Sequence, residues 1–339
     1  MVLQDAKQSE PVSQVQHLTK VYRVPERAPG MAASIRSLFK PAYTDVPAVT
    51  DISFSVEPGE MIGLIGPNGA GKTTTLKMLS GLLFPSSGEA SVAGFTPWLR
   101  QPDYLRRISM VMGNRSALNW DIPPLDSFRV LSEIYRVPAD QYQQNVDELI
   151  ATLDMDALLK KPVRNLSLGE RMKCELVAGL LYQPDILFLD EPTLGLDVAM
   201  QRRLRDFLKV YNQKHAVTVI LTSHYMADVT ALCTRVMLIH HGTLIYDGAL
   251  QALAAKLAPF KLIRLQFSKP VESFEEFLAQ FAMVEQLPQE NGLRTLRVPR
   301  KNVPLVTAKL LEALPVADLA VEDPPIEAVI DQIYEEGIL

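Results

Sequence analysis

Gly66-Pro67-Asn68-Gly69-Ala70-Gly71-Lys72-Thr73-Thr74 is the stretch on which the fold turns. It fits G-x-x-x-x-G-K-[ST], the spacing of a loop that cradles phosphate. The apolar run Met61–Ile65 before it reads as a buried strand, and residues 75–79 after it continue as a helix. The motif therefore stands at a strand-to-helix turn, where phosphate binding needs it. Its glycines let the backbone turn tightly and bring N–H groups close to phosphate oxygens. The helix that begins near Gly71 sets its positive dipole end beneath those oxygens. Lys72 supplies a mobile positive charge for the outer phosphates, and Thr73 offers a hydroxyl to a magnesium ion.

The bulk numbers bound what surrounds this loop. A chain of 339 residues allows roughly two domains. At 47% hydrophobic and 22% charged it has the composition of a soluble globular protein. A formal charge of −5 argues against nucleic acid as the main partner. No apolar run approaches the roughly 18 residues a membrane span requires, and the first ten residues are polar, with no signal-peptide core. The expectation is a cytosolic protein unless a partner holds it at a membrane. Cys174 and Cys233, the only two cysteines, fall in apolar helical contexts and read as buried thiols, not as a disulfide or a metal site.

Outward from the loop, residues 12 to about 99 read mostly as strands and turns. Ile52, Phe54 and Val56 alternate with polar neighbours, as a half-buried strand does. From about 100 to 161 the pattern is mainly helical. Residues 185–189 form a nearly continuous apolar run, as expected of a strand covered on both faces. Leu204, Phe207, Leu208 and Tyr211 recur at helical spacing, and residues 217–222 form another buried strand. Strands alternating with helices predict an α/β layer structure with a parallel sheet. Residues 236–239 and 244–246 flank His241-Gly242, which predicts a hairpin. Beyond about 261 the elements follow the order βαββαβ plus a helix at 326–334, which suggests a small ferredoxin-like appendage.

A phosphate loop alone leaves kinases, GTPases and many ATPases open. The apolar strand 186–189 ends in Asp190-Glu191-Pro192, two carboxylates aimed from a strand edge at the held phosphates. Asp190 would hold magnesium beside Thr73, and Glu191 stands where it could activate a water. Ser167 and Glu170, in Asn165-Leu166-Ser167-Leu168-Gly169-Glu170-Arg171, form an S-x-x-E capping box at the head of a helix that runs to about 181. Alone that is a well-capped helix; beside a phosphate loop it is a second anion site.

Taken together these residues resemble the ABC ATPases. Leu166 to Glu170 is similar to their signature, usually written LSGGQ. Asp197, in Thr193-Leu194-Gly195-Leu196-Asp197, matches their D-loop, and His224, after Thr222-Ser223, their switch histidine. His17, His215, His240 and His241 have no such context and read as surface or fold residues. The resemblance covers about residues 12 to 250 with its motifs in the family's order. It implies a P-loop NTPase cassette of class α/β, made of a RecA-like core, an antiparallel β subdomain and a helical subdomain, with the small α+β appendage behind it. The implied organisation is a flexible N-terminus at 1–11, a cassette at 12–255 and an appendage at 261–339. Within the cassette the helical subdomain spans about 100–170 and an inserted segment about 24–46.

The same resemblance implies the chemistry. Two cassettes form a head-to-tail homodimer, and each ATP lies between the P-loop of one subunit and Ser167, Gly169, Glu170 and Asp197 of the other. Glu191 is the general base, His224 contacts the γ-phosphate and Lys72 stabilises transferring charge. Tyr22 falls where the family stacks adenine on an aromatic. Asn114 occupies the place of a glutamine that touches magnesium and the attacking water, one methylene shorter. Thr73, Asn114 and Asp190 are the implied metal ligands; ATP and Mg2+ are the implied cofactors. Leu168 stands where the signature has glycine, so a positive φ there would be costly.

The implied partner is a separately encoded membrane permease, which would place the protein at the cytoplasmic face of the cell membrane. The 66–78 and 189–197 stretches look like drug- and polysaccharide-type (ABC-2) exporters. Residues 115–126, with the amphipathic Trp120, would face that permease unless Trp120 belongs to the core. In the inserted segment, Met31, Ile35, Leu38 and Phe39 share one helical face, suited either to a membrane surface or to packing on the domain itself. The alternative is a soluble ABC-type ATPase acting on ribosomes or nucleic acid. Ribosomal members usually carry two cassettes per chain, and chromosome-maintenance members a long coiled coil inside the cassette. The absence of an N-K-x-D motif disfavours a GTPase.

Overall fold

The computed structural model describes residues 10–25, 43–113, 115–223, 225–257, 259–271, 274–281, 283–290 and 293–324. Contacts divide the chain into two compact units, Met1–Gly248 and Ala249–Leu339.

The first unit contains strands β1 (Ser13–Pro25), β2 (Tyr43–Val56), β3 (Met61–Ile65), β4 (Ser87–Val92), β5 (Ile108–Met112), β6 (Ile186–Asp190), β7 (Thr218–Thr222), β8 (Arg235–His240) and β9 (Thr243–Ala249). Its helices are α1 (Lys72–Leu79), α2 (Pro102–Arg107), α3 (Pro124–Tyr135), α4 (Ala139–Leu153), α5 (Leu168–Leu180), α6 (Val198–His215) and α7 (Met226–Leu232). The strands form two sheets. One is antiparallel, in the order β2-β1-β4, and the other has the order β5-β6-β7-β3-β8-β9. From β5 to β8 the second sheet is parallel. In β2 the alternation expected from sequence is seen directly, with Ile52, Phe54 and Val56 inward and Ser53 and Ser55 outward. β3, β6 and β7 are buried along their whole length, which is why they are mainly apolar and not alternating, with Asp190, Thr218 and Thr222 as polar residues at strand ends.

A single core joins the two sheets. Val15, Leu18, Val49 and Ile52 of the antiparallel sheet pack with Leu64, Leu76, Tyr104, Phe188 and Met237 around the parallel one. The β8–β9 hairpin turns in two residues, His241 (φ 46) and Gly242 (φ 79). Two positive φ values in succession give the twist that suits such a connection. Cys174 and Cys233 are buried and free, and burial pushes the Cys174 thiol up to about 12.

The second unit holds α8 (Leu250–Leu257), β10 (Phe260–Phe267), α9 (Phe274–Leu278), β11 (Glu285–Glu290), β12 (Leu293–Pro299), α10 (Val303–Ala313) and β13 (Val316–Glu322). Its sheet runs β11-β12-β10-β13 with antiparallel neighbours, the order of a ferredoxin-like βαββαβ unit. Ile263, Leu265, Leu296 and Val298 face Phe274, Leu278, Val306 and Leu310 across its core. α9 ends at Leu278. Gln280 and Phe281 donate to Phe277 and Leu278 (3.3 and 2.9 Å), three residues back, so the last turn tightens and the α-helix stops. The helix expected at 326–334 lies outside the described residues, as do residues 1–9 and 26–42 of the expected N-terminus and inserted segment.

Candidate nucleotide-binding site

Because β3, β5, β6 and β7 are parallel neighbours, their C-terminal ends lie along one edge of the sheet, where open α/β sheets bind ligands. The loop 66–71 leaves β3 at that edge. Gly113 follows β5, Glu191 follows β6 and Ser223 follows β7. β7 lies between β3 and β6, and its last residue, Thr222, connects the two sides.

Hydrogen bonds lock this edge together. Thr73 Oγ1 donates to Asp190 Oδ1 at 2.9 Å, and Thr222 Oγ1 donates to the same oxygen at 2.8 Å. The Glu191 amide donates to both the carbonyl and the hydroxyl of Thr222, each at 3.1 Å. Lys72 is buried, and its Nζ donates to the carbonyls of Gly66 (2.6 Å) and Pro67 (3.0 Å). Burial pushes the Lys72 pKa down, and the carboxylates of Glu191 and Asp190 oppose that shift. At two loop positions only glycine fits. A Cβ on Gly66 would lie 2.2 Å from the Ile239 carbonyl oxygen, and one on Gly71 2.4 Å from that of Ala48.

Thr73, Asp190 and Glu191 line a cavity of about 160 Å³ with Lys77, Met112, Gly113, Arg115 and Leu194. Its donors suit Mg2+. A hydroxyl and a carboxylate converge within hydrogen-bonding distance, and magnesium is held by one or two carboxylates plus phosphate and water. The described residues contain no group of three or more His, Cys, Asp or Glu able to hold a metal by themselves, so an ion here would take its remaining ligands from a nucleotide and water.

The capping box expected from sequence is present. Ser167 Oγ accepts from the Glu170 amide at 3.3 Å, and the Glu170 carboxylate accepts from the Ser167 amide at 2.8 Å. That backbone hydrogen bond from Ser167 holds the Glu170 carboxyl below its usual range. Leu168 is the first residue of α5 and takes no positive φ, so the feared cost does not arise. Its side chain lies over Gly195, where an added Cβ would be 2.9 Å from Leu168 Cδ2, and Gly169 faces Met200 in the same way. Asp197 N-caps α6, accepting from the Met200 amide at 2.8 Å. Ser167, Gly169, Glu170 and Asp197 thus form a second cluster, outside the lining of the cavity.

Tyr22 pairs with Val46 of β2, two residues before the Ala48 whose carbonyl presses on Gly71. The ring is 36% exposed, with Lys20 Nζ 5.4 Å from its centroid. Trp120 is 50% exposed, and the Arg171 guanidinium lies 5.0 Å over it. Asn114 and His224 lie outside the described residues.

Sequence reasoning missed three residues here. In sequence Thr222 is no more than the end of a buried strand. Gly113 follows β5, and a Cβ there would lie 2.5 Å from the Glu191 carbonyl oxygen; a glycine directly after a buried strand was the available signal. Glu175 on α5 accepts from Ser116 Oγ and from the Ala117 amide (2.9 Å), pinning the loop after β5 to the capped helix. Burial raises the Glu175 pKa, and these hydrogen bonds oppose the rise. A glutamate in mid-helix gave no sequence cue.

A phosphate loop, a buried lysine and a hydroxyl–carboxylate pair on the C-terminal edge of a parallel sheet define a P-loop nucleoside triphosphatase. Comparison with known proteins narrows that class. The family described as "ABC transporter" matches residues 49–194, and "EvrA-like ABC transporter, C-terminal domain" matches residues 259–322. ABC transporter ATP-binding protein NatA of Bacillus subtilis (strain 168) is 34% identical over 208 residues, covering 61% of this chain and 84% of NatA. Nod factor export ATP-binding protein I of Burkholderia pseudomallei (strain 1710b) is 34% identical over 244 residues, 71% of this chain and 78% of that protein. The dimeric post-hydrolysis structure of the ATP-binding cassette MJ0796, bound to ADP and Pi, shares the fold. Its TM-score is 0.57 at 19% identity, covering 70% of this chain and 98% of that one. The chain belongs to the ATP-binding subunits of ABC transporters, a family of ATP hydrolases.

Proposed function

We propose that this protein hydrolyses ATP at a head-to-tail dimer interface to drive export through a separate membrane permease. One observation carries the reading. The cavity that holds Thr73, Asp190 and Glu191 is lined without Ser167, Gly169, Glu170 or Asp197, although the Ser167 helix head is capped and ready to face an anion. A second copy, turned head to tail, would supply that cluster as the missing wall.

In this reading the P-loop from Gly66 to Thr74 cradles the phosphates and Tyr22 receives the adenine. Thr73 and Asp190 would hold Mg2+, with Asn114 as a further ligand, and the ion would supply positive charge to the bound phosphates. Lys72 supplies a positive charge to the transferred group, Glu191 accepts a proton from the attacking water and His224 contacts the γ-phosphate. Closure is linked to hydrolysis because neither chain completes the pocket alone. No helix among the described residues is long and apolar enough to cross a membrane, so export requires the permease, and the subunit would sit on its cytoplasmic face. Relatives named for Nod factor export and linearmycin resistance support the exporter assignment.

The test is copurification from detergent-solubilised membranes with the full chain as bait. An integral membrane permease in stoichiometric yield supports the reading. Ribosomes or DNA in its place would contradict it.

A further inference from the structure

Glu191 has a left-handed backbone conformation, φ 53, although it is not glycine and precedes Pro192, which steers its predecessor toward extended backbone. Such a conformation persists only where its surroundings over-determine it. On the N-terminal side the restraint is Thr222, whose carbonyl and hydroxyl both accept from the Glu191 amide. On the C-terminal side it is reached through Thr193, whose hydroxyl donates to Asp228 Oδ2 at 2.5 Å. Asp228, on α7, is only 1% exposed. The same carboxylate accepts from Ser223 Oγ at 2.7 Å and from Arg205 at 2.7 Å, the guanidinium balancing its buried charge. Ser223 directly follows Thr222, and its hydroxyl also accepts from the Tyr225 amide at 3.0 Å.

We infer that Asp228 is a positioning residue that clamps the segment after Glu191 to the end of β7 and so holds Glu191 in its left-handed conformation. Thr222 and Asp228 close a ring around the residue, one on each side. The inference rests on the reading of Glu191 as the general base. Asp228 does not line the cavity and acts on the base only through Thr193 and Ser223.

The test is steady-state ATP hydrolysis by the full chain, with affinity for a fluorescent ATP analogue and thermal melting measured alongside. Asp228→Ala, which removes the acceptor of both hydroxyls, and Thr193→Val should each lower kcat by about tenfold to a hundredfold, the scale of a misplaced catalytic group. Analogue affinity should stay within about twofold, because phosphate and adenine contacts are untouched. The double variant should be no worse than the poorer single, since both break one connection. A role confined to stability would lower the melting temperature and leave the kcat of folded protein unchanged, and that result overturns the inference. So do losses that multiply in the double variant. If Asp228→Ala does not fold, Thr193→Val and Ser223→Ala replace it, with the same non-multiplying loss expected. Glu191→Gln separates the two readings. Near-normal hydrolysis by Glu191→Gln removes the base assignment and the inference with it, whereas an inactive Glu191→Gln beside multiplying losses removes the inference alone.

Discussion

The P-loop edge and the Ser167 helix head, the two sides of the proposed nucleotide pocket, are built differently. At the P-loop edge Lys72, Asp190 and Thr222 are buried, Thr73 and Glu191 are half-buried, and the groups are cross-linked. Asp190 accepts from Thr73 and Thr222, Lys72 is tied to two loop carbonyls and Glu191 is fixed by its amide. At the helix head the bonds are local. Ser167 and Glu170 satisfy each other, Asp197 satisfies Met200, and Ser167 and Asp197 are exposed. The first site is preorganised for chemistry, which favours charge that develops during reaction. The second is a surface held by local bonds, which a partner copy would meet in the proposed dimer. Substitutions at the two should therefore fail in different ways.

The largest effects belong to the P-loop edge. Glu191→Gln should cut hydrolysis by about 10²–10⁴-fold, the usual contribution of general acid–base catalysis, while ATP still binds and a dimer accumulates on size exclusion. Lys72→Ala should instead weaken nucleotide binding itself, read by titration with a fluorescent analogue. If the two variants behave alike, the division of labour between these side chains is wrong.

Gly113→Ala comes next. The added methyl would meet the Glu191 carbonyl at 2.5 Å, so one of the two backbones must move. A displacement near 1 Å at the base predicts a loss of up to about a hundredfold in kcat with little change in ATP affinity. Unchanged kcat would show that the loop after β5 adjusts freely.

Ser167→Ala tests the other side. Loss of the cap should cost about 1 kcal/mol of stability, visible as a lower midpoint in denaturant. ATP-dependent association should fall as well, although the P-loop is intact. A variant that loses stability and associates normally would confine Ser167 to capping.

The smallest effect is electrostatic. The Glu170 carboxyl is held below its ordinary value of 4.5, first by the Ser167 backbone hydrogen bond. A carboxylate with a depressed native pKa stabilises the fold above its unfolded pKa and loses that contribution as pH falls through the native value. The melting-temperature difference between wild type and Glu170→Gln should therefore be constant above pH 4.5 and shrink below it. A difference that grows on acidification would contradict the capping-box geometry.

What sequence makes legible here is local. The phosphate loop, the S-x-x-E cap and the apolar strand ending in Asp190-Glu191 are each contiguous, and each carries its own chemical reason. The βαββαβ order of the appendage is legible as well, because its elements follow one another along the chain. Long-range partners were not readable. Thr222 reaches Asp190 only because β7 inserts between β3 and β6, a matter of strand order that no local pattern encodes. Asp228 in α7 and Glu175 in α5 look like polar helix residues until folding brings Thr193, Ser223 and the loop after β5 against them. The left-handed Glu191 ran against its sequence context, since the residue before proline is expected to be extended. Such departures are expected where function constrains the backbone.

The central claim, that the P-loop of one copy is completed by the Ser167 cluster of another, is tested most directly by mixing two defective chains. Lys72→Ala removes the P-loop charge and keeps the helix head; Ser167→Arg blocks the helix head and keeps the P-loop. Each alone should be inactive, and the mixture should recover ATP hydrolysis through the one complete pocket of a mixed dimer. A mixture as inactive as its components, with mixed dimers present, would contradict a pocket shared between two copies.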